Sequence, residues 1–101
     1  MSISFISTKK IREHIRKRNV FPEDLMYAIQ TFFIEKNEAS KIKYVRFTLH
    51  DTIEEDKHIR RSLEVEICAN SLPNELINEL NDLLTCKFPS LNAFVRIHCE
   101  E

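Results

Sequence analysis

The residues best equipped for covalent chemistry in this chain are a cysteine and two histidines in alternating segments. They are His50 in KIKYVRFTLH, Cys68 in SLEVEICAN and His98 in NAFVRIHCEE. A thiol held against an imidazole is an activated nucleophile, provided the two come within about 3 Å. Whether they do depends on strand order. The other two thiols read as packing residues, Cys86 late in a helical pattern and Cys99 on the apolar side of an alternating one.

A second grouping, Asp51, Glu54, Glu55, Asp56 and His58, offers carboxylate and imidazole ligands in one short stretch. A calcium loop needs regularly spaced ligands and a central glycine for its sharp turn. The chain contains no glycine at all, against a typical ~7%. DTIEEDKHIRR therefore reads as a long, acidic, solvated hairpin loop that holds no metal. The same absence excludes the glycine-rich phosphate loops of P-loop and dinucleotide-binding enzymes. Turns and helix ends must draw on Asn, Asp, Ser and Pro instead. No catalytic residue, metal site or cofactor is expected.

The third feature is KKIREHIRKR, in which Lys9, Lys10, Arg12, Arg16, Lys17 and Arg18 stand with one acid, Glu13. Six cations and one anion make this run +5 and leave −6 for the rest of a chain whose formal charge is −1. Cations at this density bind polyanions with steep salt dependence. On a helix, however, Ile11 and Ile15 would face inward and the basic side chains would need only water, with Glu13 pairing Lys17 one turn on. A helix-turn-helix reader carries its basic residues on the second helix. Here the following segment, FPEDLMYAIQTFF, is first acidic and then apolar. Docking to an acidic protein surface, including the acidic body of another copy, stays open beside nucleic acid.

Positioning these groups requires regular elements, and apolar periodicity supplies them. SISFIS alternates Ile3 and Phe5 with serines, as in a short strand or an ordered arm. Thr8 is placed to cap a short helix running to Arg18. Pro22 opens a helix reaching about Lys36, with Glu23 and Asp24 at its positive end and Leu25, Ala28, Ile29, Phe32 and Phe33 in one stripe. Val45, Phe47 and Leu49 then alternate with polar neighbours as a half-buried strand. Leu63, Val65, Ile67 and Ala69 repeat the pattern, and Ala93, Val95, Ile97 and Cys99 do so again. Before this last strand Pro73 opens a helix with Leu76, Ile77, Leu80, Leu83 and Leu84 on one side, stopped by Pro89.

The predicted fold is a single α/β (α+β) domain over 1–101, with 1–20 a basic arm or helix and 21–101 an αββαβ core. The topology ααββαβ makes a two-layer sandwich with its helices on one sheet face. A hairpin sets the first two predicted strands antiparallel, and a helical crossover sets the second and third parallel. The simplest three-stranded sheet is then mainly antiparallel, in the order 2-1-3. In that order Cys68 and His98 lie two strand spacings apart, about 9.5 Å, with His50 at the far end. No thiol–imidazole enzyme is expected.

The uncovered face carries Tyr44, Arg46, Thr48, His50, Glu64, Glu66, Cys68, Phe94, Arg96, His98 and Glu100. Arg46 and Arg96 are expected to pair with Glu64 or Glu66 across strands. Tyr44 and Phe94 beside those arginines make a surface for a partner protein, a second copy or unstacked bases. Glu64, Glu66 and Glu100 would repel phosphate, which favours protein.

Hydrophobic content of 43% with 31% charged residues reads as a soluble globular chain. No run reaches the ~18 apolar residues of a membrane span, and MSISFISTKK carries its charges after its apolar patch, the wrong order for a secretory signal. Three scattered cysteines without a CxxC pair point to reduced thiols in the cytoplasm.

The helix FPEDLMYAIQTFF, the strands KYVRFTLH and RRSLEVEICAN, the helix PNELINELNDLL and the closing NAFVRIHCEE follow one another over roughly the last four fifths of the chain. In order and spacing this layout resembles the C-terminal domain of the bacterial enhanced-serine-sensitivity (SseB-type) proteins. The resemblance implies a small α/β accessory domain without an established active site.

The expected function is a non-enzymatic protein–protein interaction module of adaptor, accessory or inhibitor/immunity type. Its expected contacts are Tyr44, Arg46, Phe94 and Arg96 on the open face, with the basic patch Lys9, Lys10, Arg12, Arg16, Lys17 and Arg18. The expected partner is another protein of acidic surface, or a second copy as a homo-oligomer, with no membrane involved. The alternative is a nucleic-acid-binding protein acting through residues 9–18.

Overall fold

Capping residues and prolines set the helix boundaries. The computed structural model describes residues 3–98; the sequence expectations for Cys99 and Glu100 lie outside them. After a short strand β1 (Phe5–Ile6), Thr8 caps α1 (Lys9–Lys17), its hydroxyl accepting a hydrogen bond from the Ile11 N–H at 3.2 Å. Helix α2 (Pro22–Glu35) begins on Pro22, with Glu23 and Asp24 in its first turn. Helix α3 (Asn74–Lys87) follows Pro73 and gives way at Phe88 to a 3-10 turn, Pro89–Leu91.

Without glycine, left-handed backbone falls to Asn19, Asn37, Lys57, Ser71 and Asn92. Asn37 ends α2 by donating its N–H to the Ile34 carbonyl at 3.0 Å, while the Glu38 N–H reaches back to Phe33 at 2.9 Å. Asn19 and Val20 end α1 in the same way, on Arg16 and Ile15 at 3.0 and 3.3 Å. This is the Schellman pattern with Asn in the usual glycine position.

Strands β1, β2 (Ile42–Ile53), β3 (Ile59–Ala69) and β4 (Ala93–His98) form one mixed sheet in the order β1-β2-β3-β4. β1 runs parallel to β2, β2 antiparallel to β3, and β3 parallel to β4. The fold is α+β, as expected, but the sheet is mixed, with two of these three pairings parallel, and not mainly antiparallel as expected. Three further details are corrected. SISFIS supplies a fourth strand, held by the Val45 N–H donating to Ser4 at 2.9 Å and by Phe5 stacking on Phe47 at 6.0 Å. The expected order 2-1-3 fails because α3 returns the chain beside β3 rather than beyond β2. Residues Leu63–Ala69 of β3 are buried on both faces, and on the face away from the helices Arg46, His50, Arg96 and His98 of the neighbouring strands reach over Glu64 and Glu66.

The third of these concerns DTIEEDKHIRR, which is mostly strand. Asp51 faces Arg61, Thr52 faces Arg60 and Ile53 faces Ile59, leaving a short turn closed by Lys57 N–H to Glu54 carbonyl at 2.8 Å. Lys57 takes the left-handed position of a three-residue hairpin. These strand ends are exposed on both faces, so they show no apolar alternation to mark them.

The helices cover one face. Ile3, Ile11 and Ile15 pack in the same core as Leu25, Phe33, Val65 and Leu80, so the first twenty residues contribute to it. The Ile3 N–H donates to the Gln30 side chain at 3.0 Å.

Candidate functional site

The uncovered sheet face is built in rows across β2, β3 and β4. Tyr44, Cys68 and His98 form one row, Arg46, Glu66 and Arg96 the next, and Thr48, Glu64 and Phe94 a third. Glu64 accepts from Arg96 Nε at 2.7 Å on one oxygen, and its other oxygen lies 3.2 Å from His50 Nε2. Glu66 lies 3.7 Å from Arg46 and 3.9 Å from His98 Nδ1. Each carboxylate on the central strand is therefore flanked by one arginine and one histidine, on opposite sides. The predicted cross-strand pairs form, Arg96 with Glu64 and Arg46 with Glu66.

Depth changes the electrostatic reading of this face. Glu64 and Glu66 are only 5% and 6% exposed, because long side chains from both neighbouring strands close over them. The side chains of Arg46 and Arg96 stand 45% and 59% exposed above. The expectation that these two glutamates present repulsive charge to an anion is thus corrected, since solvent meets guanidinium groups first. Formal charge over these four residues is zero, but its two signs occupy different depths.

The aromatics do not form one platform. Tyr44 lies under Arg46, with 5.1 Å from the guanidinium to the ring centre and a 3.4 Å hydrogen bond from Arg46 to its hydroxyl. Phe94 sits against the His50 ring at 5.8 Å. The two are two strands and four residues apart, about 16 Å. Tyr44, Arg46, Phe94 and Arg96 thus lie on one face as predicted, with the aromatics at diagonal corners.

Cys68 and His98 are direct neighbours in register, which corrects the two-strand separation expected from order 2-1-3. The thiol is fully buried and no hydrogen bond joins it to His98 among the described residues. Cys86, expected in packing, is exposed on α3.

All six basic-patch residues lie on α1 or at its C-cap, but they are not equivalent. Arg12 turns back to the chain, donating to the Ser7 carbonyl at 2.8 Å and its hydroxyl at 3.0 Å. Arg16 reaches Glu23 at 4.0 Å. Lys9, Lys10, Lys17 and Arg18 form no side-chain ion pair among the described residues. His14, which the sequence reading passed over, faces the root of the long hairpin. Burial, and then the charges of Arg18 and Arg61, push its pKa below the usual 6.5. There Arg61 binds Asp51 through two bonds of 2.7 and 3.1 Å, holding that carboxyl below its usual 3.8 and raising the guanidinium.

Among the described residues no three His, Cys, Asp or Glu side chains are grouped to hold a metal ion, and no helix is long and apolar enough to cross a membrane. No protein-family model matches the chain, and no curated protein or solved structure matches it either.

Proposed function

We propose that the chain is a non-enzymatic interaction module whose open sheet face takes an extended, acidic segment of a partner protein. The observation that carries this reading is the sunken position of Glu64 and Glu66 beneath half-exposed arginines. Arg96 spends its Nε on Glu64, and a guanidinium has further N–H groups to offer a second carboxylate. Tyr44 and Phe94 close the two ends of a strip of about 16 Å, the span of roughly five extended residues. The partner segment is therefore acidic in its middle and apolar at its ends. This chemistry suits an adaptor, an accessory domain or an inhibitor. The resemblance to the enhanced-serine-sensitivity C-terminal domain supports the accessory form, and the scattered cysteines support a cytoplasmic setting.

A nuclear magnetic resonance titration with an oligo-glutamate peptide flanked by aromatics tests it. Amide shifts should centre on Tyr44, Arg46, Phe94 and Arg96 and disappear in Tyr44→Ala/Phe94→Ala. Unchanged shifts in that variant would sink the reading. The second reading, nucleic-acid binding through residues 9–18, rests on the Lys9, Lys10, Lys17 and Arg18 side chains, which form no ion pair among the described residues. A single-stranded oligonucleotide that shifts only α1, with affinity falling steeply in salt, would replace the first reading by the second.

A further inference from the structure

On the helical layer, opposite the open face, α2 and α3 leave a groove of about 950 Å³ between them. Ala28, Phe32, Leu83 and Phe88 give it an apolar lining, with Tyr27 exposed beside them. Its charged residues are Asp24, Glu35, Glu79 and Asp82 against Lys36 and Lys87, so it is net acidic. One end is closed by Lys36, which binds Glu79 at 2.8 Å and lies 5.8 Å from the Phe32 ring centre. The other end lies toward Asp24 and Phe88.

Beside that open end stands the corner between α1 and α2. The Ser90 hydroxyl donates to the Arg18 carbonyl at 2.8 Å, tying the corner to the turn that follows Phe88. The corner carries Arg16, Lys17 and Arg18, all exposed, and then Phe21, 67% exposed. Phe21 occupies the N-cap of α2 and makes no side-chain capping bond, although Ser, Thr, Asp or Asn is the residue that position favours. An uncapped helix start and an aromatic ring left in water are two local costs at one residue. Association that buries the ring relieves the second of them.

We propose that the groove is the docking site for the α1–α2 corner of a second copy of this chain. Phe21 of each copy enters the apolar groove of the other, and Lys17 and Arg18 meet its acidic residues. Because corner and groove share one edge of the molecule, a two-fold pair makes both contacts at once and closes without further addition. One competing self-association, through the free edge of β2 beyond β1, places like charges together. α1 lies beside that strand, with Lys10 and His14 near Asp51, so edge pairing would bring two basic helices side by side. Docking at the groove pairs opposite charges instead. The proposal does not depend on the open face, which lies on the other layer.

Analytical ultracentrifugation of the full chain, from low micromolar to near-millimolar concentration, tests the proposal. Twice the monomer mass should appear as concentration rises and recede in high salt. Phe21→Ser should raise the denaturation midpoint by supplying a cap yet remain monomeric, so loss of the dimer cannot be assigned to misfolding. Lys17→Glu/Arg18→Glu and Glu35→Lys/Asp82→Lys should each be monomeric alone and regain the dimer when mixed. A chain monomeric throughout, or a dimer indifferent to Phe21→Ser and to both charge reversals, would overturn the proposal.

Discussion

Cys68 and His98 stand directly opposite one another on adjacent parallel strands, yet the thiol is closed off from solvent. Adjacency alone does not make a nucleophile, because attack needs access as well as a base. Iodoacetamide should therefore label Cys86 in the folded protein and leave Cys68 unmodified until denaturant is added. Peptide mapping by mass spectrometry separates the two sites. Rapid labelling of Cys68 in the native state would reopen the catalytic reading.

Arg96 and Glu64 should form the most consequential ion pair of the open face, at 2.7 Å over a buried carboxylate. Arg96→Leu is expected to destabilise the fold by about 1–3 kcal/mol, the cost of leaving a charged acceptor short of a partner. The effect should stay below the ~3–5 kcal/mol of a fully buried pair, because Arg96 is half in water and His50 still contacts the other oxygen. Glu64→Leu combined with Arg96→Leu should recover most of the loss in urea denaturation. A single variant as stable as the wild type would show that water already satisfies Glu64.

Much of the fold was legible because its signals are local. Thr8, Pro22 and Pro73 mark helix starts from the side chain alone, and alternation marked the long strands. Strand order was not legible, since the pattern of β3 is equally compatible with a central or an outer place. Its two glutamates even argue for exposure until Arg46, Arg96, His50 and His98 are seen closing over them. The outer hairpin was missed for the opposite reason, being exposed on both faces, with even its facing pair Ile53 and Ile59 in water. The groove between α2 and α3 left no motif, but Phe21 did leave a signal, an aromatic residue at an expected N-cap.

Lys57 occupies a left-handed position that a chain with glycines would give to glycine or Asn. A Cβ-bearing residue there costs roughly 1–2 kcal/mol, relieved in part by Asn. Lys57→Asn should accordingly raise stability by about 0.5–1 kcal/mol. Asn92→Ala should do the reverse, by about 2 kcal/mol, since it loses the left-handed tolerance and the bonds to Ser62 and Arg60 at 2.8 and 3.0 Å. Thermal unfolding distinguishes these outcomes. Equal melting temperatures for Lys57→Asn and the wild type would mean that the hairpin tip frays before the core unfolds.

His14 and Asp51 give the acid side of the stability curve two separate windows. His14 is held below 6.5 by burial and then by Arg18 and Arg61, with Lys17 acting in the same sense and Asp51 opposing them. Below that value the unfolded chain binds this proton more readily than the folded one, so stability rises with pH across the window. It is complete above pH 6.5 and falls as pH drops through 6.5 toward the folded value. Asp51, held below 3.8 by its bond from Arg61, contributes stability above pH 3.8 that is lost as pH falls through its own folded value. His14→Gln should therefore flatten the upper window and leave the lower one in place. Asp51→Asn should flatten the lower window and steepen the upper, because it removes the carboxylate that opposes Arg18 and Arg61 at His14. Urea midpoints across pH read both effects. If Asp51→Asn left the upper window unchanged, the α1 helix and the hairpin root would not be electrostatically coupled.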